Sequence, residues 1–306
     1  METTAEQTPA WAGVDWGTSN LRVWVMSADD TPLHSLGSSA GMGTLQPDEF
    51  EPTLVALLEP WLDAGRTLPV ICCGMVGARQ GWSDAGYLST PVSRDSRSPA
   101  HGVATHDDRI SVAILPGVKQ ASPADVMRGE ETQIAGLLHQ TPAFDGTVCL
   151  PGTHTKWARV ESGCISSFQT CMSGEMFALL STQSVLRHSM QDSQWSDDSF
   201  TRGVSDILAN PASLSSQLFA LRAENLINDV PGHELKSRLS GLLLGAELAA
   251  TRTYWQDKHV TIVGDDRLAG LYSQALSQVE TQVAVADGAS LTLAGLIAAH
   301  HSQQES

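Results

Sequence analysis

The chain has 306 residues, of which 42% are hydrophobic and 17% are charged, a composition typical of a globular protein with about two domains. Acidic residues outnumber basic ones by 34 to 18, so the net charge is −16 and nucleic acid is an unfavourable partner. The five cysteines include an adjacent pair and no C-x-x-C spacing, so neither a disulfide framework nor a zinc site is predicted.

The sequence also carries information about location. The first ten residues contain glutamates and no basic side chain, which is unlike a secretory signal. No apolar run reaches the ~18–20 residues that span a bilayer. We therefore expect a soluble cytoplasmic protein without a membrane partner. The sequence leaves the oligomeric state open, with a homodimer among the options.

The first half of the chain predicts the element order β-β-β-α-β. Residues 14–26 predict a strand, a tight turn and a second strand, because an apolar run enters the turn and apolar and polar residues alternate after it. A third strand is predicted at residues 31–38, a helix at 47–62, and a buried strand at 68–73 before a glycine-rich stretch.

The same order begins again about 135 residues later, which indicates an internal duplication. Strands are predicted at residues 146–151, 156–160 and 164–170, with a turn between the first two. A helix is predicted at residues 173–188, because apolar residues recur there at helical spacing. These apolar positions are Met176, Phe177, Leu180 and Val185.

The two halves share a Gly-Thr turn. Overlaying them places Gly17 and Thr18 on Gly152 and Thr153. Glycine lets the backbone approach an anion closely, and threonine adds a hydroxyl donor beside free N–H groups. Either turn alone is equally typical of an ordinary hairpin. Two turns in equivalent positions favour a clamp for a phosphate chain, with Asp15 giving the first hairpin a charge that the second lacks.

Several short segments form a more specific pattern than either turn alone. They are DWGTSNLR at residues 15–22, GMVG with QGW within 74–82, MRGEETQ at 127–133, PGTHTKW at 151–157 and GLLLGAE at 241–247. The hairpins resemble those of the sugar kinase, Hsp70 and actin ATPase superfamily. With the other segments in the same order, the chain resembles the 2-dehydro-3-deoxygalactonokinase family from about residue 13 to residue 298.

The resemblance implies an α/β protein with a two-domain duplicated ribonuclease H-like (actin-like ATPase) fold and an interdomain cleft. We expect residues 1–122 to form the sugar-acid side and residues 123–306 the nucleotide side. The implied reaction transfers the γ-phosphate of ATP to the terminal 6-hydroxyl of 2-dehydro-3-deoxy-D-galactonate. Its products are the 6-phosphate and ADP, within D-galactonate catabolism.

The first hairpin is expected to hold the metal and part of the triphosphate. Asp15 ends the first predicted strand and, by the resemblance, binds Mg²⁺; the alternative is that it only caps its own turn. Gly17, Thr18 and Ser19 are expected to donate to phosphate oxygens. Arg22 either contacts the transferred group or orders the turn.

The second hairpin has no acidic residue, so Gly152 and Thr153 are expected to supply backbone and hydroxyl donors to phosphate. Lys156 either reaches a phosphate oxygen or is a solvated surface charge. Residues 260–263 predict a strand, and residues 264–266 open a predicted helix. Gly264 between them matches the adenosine loop of the superfamily. Only one glycine is present where several are common, so the adenine contacts stay open.

A general base is expected at residues 129–132, because superfamily sugar kinases place a carboxylate at a helix start shortly before the second hairpin. Glu130 and Glu131 both occupy this place, ahead of an apolar helical face. Acidic residues at a helix start also interact favourably with the helix dipole, so one of the pair can be structural. We favour Glu131 as the base.

The substrate implied by the resemblance is a carboxylate, which arginine binds well through two parallel hydrogen bonds. We therefore expect an arginine at its binding site, with polar and aromatic side chains along its carbon chain. One of these aromatic candidates, Trp82, is equally well explained as a core residue. The candidates are Arg97 and Arg128 for the carboxylate, and Asn20, Gln80, Trp82 and Tyr87 for the rest of the molecule.

Two other functions share the expected fold. A non-catalytic sensor of nucleotide or sugar acid would bind the same ligands without turnover, and a phosphatase would release phosphate without an acceptor. Retention of Asp15 together with Glu130 and Glu131 favours catalysis. Release of ADP with and without the sugar acid distinguishes the three functions.

Overall fold

A computed structural model describes residues 8–93, 100–190 and 194–304. The chain divides into two compact units. Unit 1 comprises Met1–Phe144, Ser162–Ser166 and Gly288–Ser306, and unit 2 comprises Asp145–Glu161 and Ser167–Asp287. The expected division of the chain into a sugar-acid side at residues 1–122 and a nucleotide side at residues 123–306 stays a prediction.

Strands and helices alternate along the chain. The first part contains β1 (Trp11–Trp16), β2 (Leu21–Met26), β3 (Pro32–Ser38), α1 (Phe50–Leu58), β4 (Leu68–Gly74), β5 (Tyr87–Ser89), β6 (Val92–Ser93), β7 (His101–Val103), β8 (Ile110–Ile114), β9 (Gly117–Gln120), β10 (Asp125–Met127) and α2 (Glu130–Gln140). The second part contains β11 (Gly146–Leu150), β12 (Thr155–Glu161), β13 (Cys164–Cys171), α3 (Ser173–Thr182), α4 (Asp197–Ala209), α5 (Leu214–Asn228), α6 (Gly232–Ala250), α7 (Arg252–Trp255), β14 (Val260–Gly264), α8 (Asp266–Ser277), β15 (Val283–Asp287) and α9 (Gly288–Gln304).

The main sheets of the two units have the same strand order. In unit 1 the order is β3-β2-β1-β4-β8-β7, and in unit 2 it is β13-β12-β11-β14-β15. The first strand of each set pairs antiparallel with the second and parallel with the fourth. The fifth strand is again parallel to the fourth in both sheets. The predicted internal duplication is therefore confirmed.

Two predicted helices are shorter than the sequence suggested. The helix expected at 47–62 is α1, which ends at Leu58 because Pro60 lacks the N–H that would continue it. The helix expected at 173–188 ends at Thr182, and a separate 3₁₀ turn follows, where the Ser184 hydroxyl accepts the N–H of Leu186. Of the apolar residues on which this helix was predicted, Met176 and Val185 are exposed.

The main sheet of unit 1 is covered on both faces. On one face Trp16 of β1 packs with Phe50 and Leu54 of α1. On the other face Trp11 of β1 packs with Leu296 of α9. A strand buried on both sides needs apolar residues at successive positions, which explains why β1 lacks polar alternation. The carboxyl ends of β1 and β4 are thus held on a rigid layer.

Helix α2 approaches α9 at backbone contact distance. A Cβ atom added to Gly136 of α2 would lie 1.9 Å from the carbonyl oxygen of Leu291. A Cβ atom added to Gly295 of α9 would lie 2.0 Å from the carbonyl oxygen of Thr132. Only glycine fits at these two positions. The contact fixes the first turn of α2, which carries Glu130 and Glu131.

None of the helices in the described ranges is long and apolar enough to cross a lipid bilayer.

Substitution Gly136→Ala is expected to lower the free energy of unfolding by at least about 2 kcal/mol, because the added methyl group forces α2 away from α9. The matched control is Gly270→Ala in α8, where an added Cβ atom meets nothing within 4 Å. That change is expected to be neutral or to stabilise by ~0.5–1 kcal/mol. Urea unfolding of both variants measures the difference, and equal effects would contradict the close approach of the helices.

Candidate active site

Acidic side chains gather in unit 1 where β1 and β4 end and α2 begins. Asp15 lies opposite Arg22 in the β1–β2 pair and opposite Cys73 in the β1–β4 pair. The Cys73 thiol is 3.9 Å from Oδ1 of Asp15. Burial raises the pKa of Asp15, the charge of Arg22 lowers it, and the charge of Glu130 raises it further. Asp15 and Glu130 are therefore close enough to interact electrostatically.

Gly74 allows the backbone to turn beside Asp15. Its φ of +89° is in the region that glycine tolerates, and a Cβ atom there would lie 2.8 Å from the Trp16 carbonyl oxygen. The same Cβ atom would lie 3.4 Å from Oδ1 of Asp15. A side chain at this position would thus crowd the carboxylate.

Glu131 is a buried carboxyl group at the start of α2. It is 9% exposed, and both of its oxygens lie 2.8 Å from the backbone nitrogen of Gly129, whose N–H they accept. With Thr132 it lines a cavity of about 150 Å³ whose other walls are mostly apolar, including Leu115 and Leu138. Burial and, to a smaller extent, the charge of Glu130 raise the pKa of Glu131 to about 7, although the Gly129 N–H and the charge of Arg128 oppose this rise.

Glu130 differs from its neighbour in exposure. It is partly exposed, and its Oε2 accepts the N–H of Arg128 at 3.1 Å. A general base works best with a pKa near the working pH and must also reach the proton that it abstracts. The requirement for a pKa near neutrality favours Glu131, whereas the requirement for access to the substrate favours the more exposed Glu130.

Arg128 is buried beside these acids and orders the loop before β5. Its Nη2 donates to the Gly86 carbonyl oxygen at 2.9 Å, and its guanidinium lies 4.3 Å from the centre of the Tyr87 ring. Its Nε and Nη1 atoms are buried without a hydrogen-bond partner. A carboxylate reaches these nitrogens only if neighbouring side chains such as Tyr87 move.

The turn of the first hairpin presents exposed donors. The Gly17 N–H closes the turn on the Asn20 carbonyl oxygen at 2.9 Å. Residues 18–20 are exposed. The N–H groups of Met42 and Gly43 stabilise the turn by donating to the carbonyl oxygens of residues 17 and 18. Arg22 is exposed next to the turn, with its guanidinium 5.6 Å from the Trp24 ring centre.

The remaining candidates for sugar-acid contacts differ in their surroundings. Gln80 is exposed. Trp82 stacks on Phe50 and meets the edge of Trp16, with ring centres 6.2 and 6.3 Å apart, which favours its alternative role in core packing. Arg97 lies outside the described residues.

Hydrogen bonds from residues of unit 2 stabilise the second hairpin. Thr153 is exposed, and its carbonyl oxygen accepts the N–H of Glu175 from α3 at 3.0 Å. Lys156 is only 5% exposed, and its Nζ donates to the His154 carbonyl oxygen at 3.1 Å. The alternative that Lys156 is a solvated surface charge is therefore wrong. Its ammonium group orders the turn from inside.

A pocket of about 270 Å³ in unit 2 begins at this hairpin. Gly152 and Thr153 form one end, and helices α3, α6 and α8 form the walls. Trp195 and Arg267 also line it, and sequence reasoning missed both. The available signal was Trp195 itself, a single aromatic residue inside a polar segment. Gly264 does not line this pocket.

Gly264 lies between the pocket helix and the hairpin. A Cβ atom added to it would lie 3.7 Å from Cδ of Pro151, which precedes the second turn. The next residue, Asp265, caps α8 by accepting the N–H groups of Arg267 and Leu268. The predicted strand and helix around Gly264 are thus confirmed, while a contact to adenine stays a prediction.

The donor set near Asp15 fits a shared magnesium site. Within the residues that the structure covers, no three or more His, Cys, Asp or Glu side chains are arranged to hold a metal ion. Mg²⁺ in phosphate-transferring enzymes keeps several waters and takes one or two carboxylates together with phosphate oxygens. Asp15, with Glu130 nearby, therefore fits Mg²⁺ held jointly with a nucleotide.

The repeated strand order and the paired hairpins define the class of protein. The chain has the fold of the actin-like ATPases. The activator of 2-hydroxyisocaproyl-CoA dehydratase from Clostridium difficile, solved with bound ADPNP, aligns over 96% of both chains with a TM-score of 0.50. At 12% identity this likeness shows the fold alone.

The family is shown by closer relatives. The sequence model of the 2-keto-3-deoxy-galactonokinase family matches residues 15–299. A 2-dehydro-3-deoxygalactonokinase of Escherichia coli is 34% identical over 96% of this chain and 99% of its own length. A protein assigned to the same activity in Rhizobium meliloti is 36% identical over 94% of this chain and 96% of its own.

A crystal structure of a Sinorhizobium meliloti protein assigned as 2-dehydro-3-deoxygalactonokinase covers 96% of this chain and 99% of its own, with 35% identity and a TM-score of 0.88. The chain belongs to the 2-keto-3-deoxy-galactonokinase family, and it is an enzyme, a sugar kinase. The resemblance found in the sequence is confirmed.

The raised pKa of Glu131 predicts a pH dependence of stability. Between its ordinary pKa of 4.5 and about 7, the folded state keeps the proton that the unfolded state releases. Stability contributed by this group is therefore lost as the pH rises through that range, by about 3 kcal/mol in all. Glu131→Gln is expected to remove this part of the decline in the free energy of unfolding.

Urea unfolding at several pH values measures this effect as the difference between variant and wild type. Glu130→Gln removes the neighbouring charge that helps to raise the pKa of Glu131, so it is expected to reduce the decline only in part. A pH-independent difference between Glu131→Gln and wild type would contradict the burial of a titrating carboxyl group.

Proposed function

We propose that the enzyme transfers the γ-phosphate of ATP to the terminal 6-hydroxyl of 2-dehydro-3-deoxy-D-galactonate, giving the 6-phosphate and ADP. Family membership supports the kinase activity and the substrate class. The observation that carries the proposal is the group of Asp15, Glu130 and Glu131 at one edge of unit 1, where one carboxyl group titrates near neutrality.

Nucleotide binding is assigned to unit 2. The backbone N–H groups at residues 152–153 and the exposed Thr153 hydroxyl suit phosphate oxygens, and the adjoining pocket of about 270 Å³ suits the nucleoside. The aromatic ring of Trp195 and the leucines of α6 and α8 give this pocket apolar walls for a base. The ATP analogue bound to the dehydratase activator of the same fold supports this choice of cofactor.

The proton of the attacking hydroxyl goes to Glu131. Its pKa of about 7 means that the ionised form is available at neutral pH and accepts the proton without a large penalty. Mg²⁺ bound with the nucleotide beside Asp15 would neutralise the charge on the transferred group. The donors of the first hairpin, Gly17, Thr18 and Ser19, would hold phosphate oxygens in the direction of transfer.

Substrate recognition is assigned to unit 1 around Arg128. Two of its guanidinium nitrogens have no hydrogen-bond partner and are able to donate to a carboxylate. In this structure the Tyr87 ring covers the guanidinium group. Asn20 and Gln80 are exposed and able to hydrogen-bond to hydroxyl groups. Arg97, the cytoplasmic location, the absence of nucleic-acid and membrane partners, and a homodimer stay predictions. No observation supports the alternative of a non-catalytic sensor.

A coupled assay for ADP tests the function directly. ADP release is expected with ATP and the 2-dehydro-3-deoxy sugar acid, and not with ATP alone. Glu131→Gln is expected to lower kcat by ~10²-fold or more, since it removes the proton acceptor while keeping the shape of the side chain. Glu130→Gln is the matched control and is expected to retain more activity. The reverse order would transfer the role to Glu130, and ADP release without acceptor would indicate a phosphatase.

Asp15→Asn is expected to raise the Mg²⁺ concentration needed for half-maximal activity and to lower kcat by ~10²-fold or more, because it removes the carboxylate closest to the predicted metal. A magnesium titration of the ADP assay measures both effects. Asp48→Asn, on an exposed surface of the same unit, is the control and is expected to behave as wild type. An unchanged magnesium dependence in Asp15→Asn would remove Asp15 from the metal site.

A further inference from the structure

Unit 2 contains a chain of buried hydrogen bonds centred on Glu247 of α6. Its Oε1 accepts the indole N–H of Trp157 at 2.8 Å and the hydroxyl of Tyr272 at 2.9 Å. The Tyr272 oxygen is also 2.7 Å from Oγ1 of Thr155. A tyrosine hydroxyl has one proton, which goes to Glu247, so Thr155 donates to Tyr272. All four side chains are more than nine-tenths buried.

Two members of this chain, Thr155 and Tyr272, lie at two parts of the proposed nucleotide site. Thr155 begins β12 directly after the turn that contains Gly152 and Thr153. Tyr272 belongs to α8 and lines the pocket of about 270 Å³. Tyr272 therefore connects a wall of the pocket to the base of the second hairpin, and Glu247 fixes the direction of the Tyr272 hydroxyl.

Core packing alone does not account for Glu247. It is the single charged residue between Arg238 and Arg252, within a run of leucine, glycine and alanine. Burial raises the pKa of its carboxyl group, while hydrogen bonds from its neighbours oppose this. Apolar residues of similar size often replace buried charges without loss of stability. A carboxylate at this position instead fixes the directions of two donors.

We propose that Glu247 and Tyr272 are positioning residues that hold the second hairpin in the geometry that receives the nucleotide phosphates. The turn is tied on its other side by the N–H of Glu175, which donates to Thr153. The bond from Thr155 to Tyr272 supplies the second tie. This inference rests on the proposed function, because the nucleotide is the ligand that the hairpin serves.

The test removes the hydrogen bond between Tyr272 and Thr155 in two ways, by changing either partner. Tyr272→Phe removes the phenol oxygen, and Thr155→Val removes the partner hydroxyl without changing the shape of the side chain. Each variant is expected to weaken ADP binding by ~5–20-fold, the effect of losing about one ordered hydrogen bond. Isothermal titration with ADP measures this without turnover. The KM for ATP is expected to rise in parallel, while the KM for the sugar acid stays at the wild-type value.

The double variant Tyr272→Phe/Thr155→Val is expected to bind ADP no more weakly than the weaker single variant, since both changes break the same bond. Glu247→Gln keeps an amide oxygen for both donors and is expected to retain wild-type affinity, whereas Glu247→Leu is expected to lose it. If Glu247→Leu fails to fold, Tyr272→Phe decides the question.

Thr147→Val is the matched control. Thr147 lies on β11 of the same sheet, is 1% exposed, and donates its hydroxyl to the Tyr254 carbonyl oxygen outside the network. It is expected to lower the Tm as Thr155→Val does and to leave ADP affinity unchanged. Wild-type ADP affinity in Tyr272→Phe or Thr155→Val, or additive losses in the double variant, would overturn the positioning role alone. A wild-type enzyme that binds no ADP would overturn the proposed function as well.

Discussion

The packing of α2 against α9 is the constraint on which the acidic site depends. Glycines at 136 and 295 bring the two helices to backbone contact, so the first turn of α2 packs directly on α9 at Thr132. That turn places Glu131 against an apolar cavity wall and Glu130 toward Asp15. The electrostatics of the site therefore follow from helix packing, since desolvation and the neighbouring charge together raise the pKa of Glu131.

The two units have the same strand order but carry different residues at equivalent positions. Unit 1 places charge at the ends of its strands, where β1 carries Asp15 and the start of α2 carries the glutamates. Unit 2 has Leu150 at the position equivalent to Asp15 and supplies neutral donors and a pocket instead. In the proposed function, charged chemistry and nucleoside binding are divided between the duplicated halves.

Local patterns made much of the fold predictable. The strands around both hairpins and the strand and helix around Gly264 follow from alternation, helical periodicity and turn residues over short stretches. The early end of α3 was not predictable from apolar spacing, because the competing cap at Ser184 depends on a single hydroxyl. The burial of Lys156 has no signal in the alternating pattern around it. The bond between Thr155 and Tyr272 joins residues distant in sequence. For the same reason, Trp195 gave only a weak signal as part of a pocket.

The path of the chain through unit 1 has a consequence for its biosynthesis. Helix α9 is the last described element, yet it covers the sheet face formed near the start of the chain, where His300 stacks on Trp11 with ring centres 4.3 Å apart. Unit 2 is inserted before this helix. A ribosome therefore synthesises the strands of this sheet before the helix that shields them, so the nascent chain exposes an apolar sheet surface until α9 has emerged.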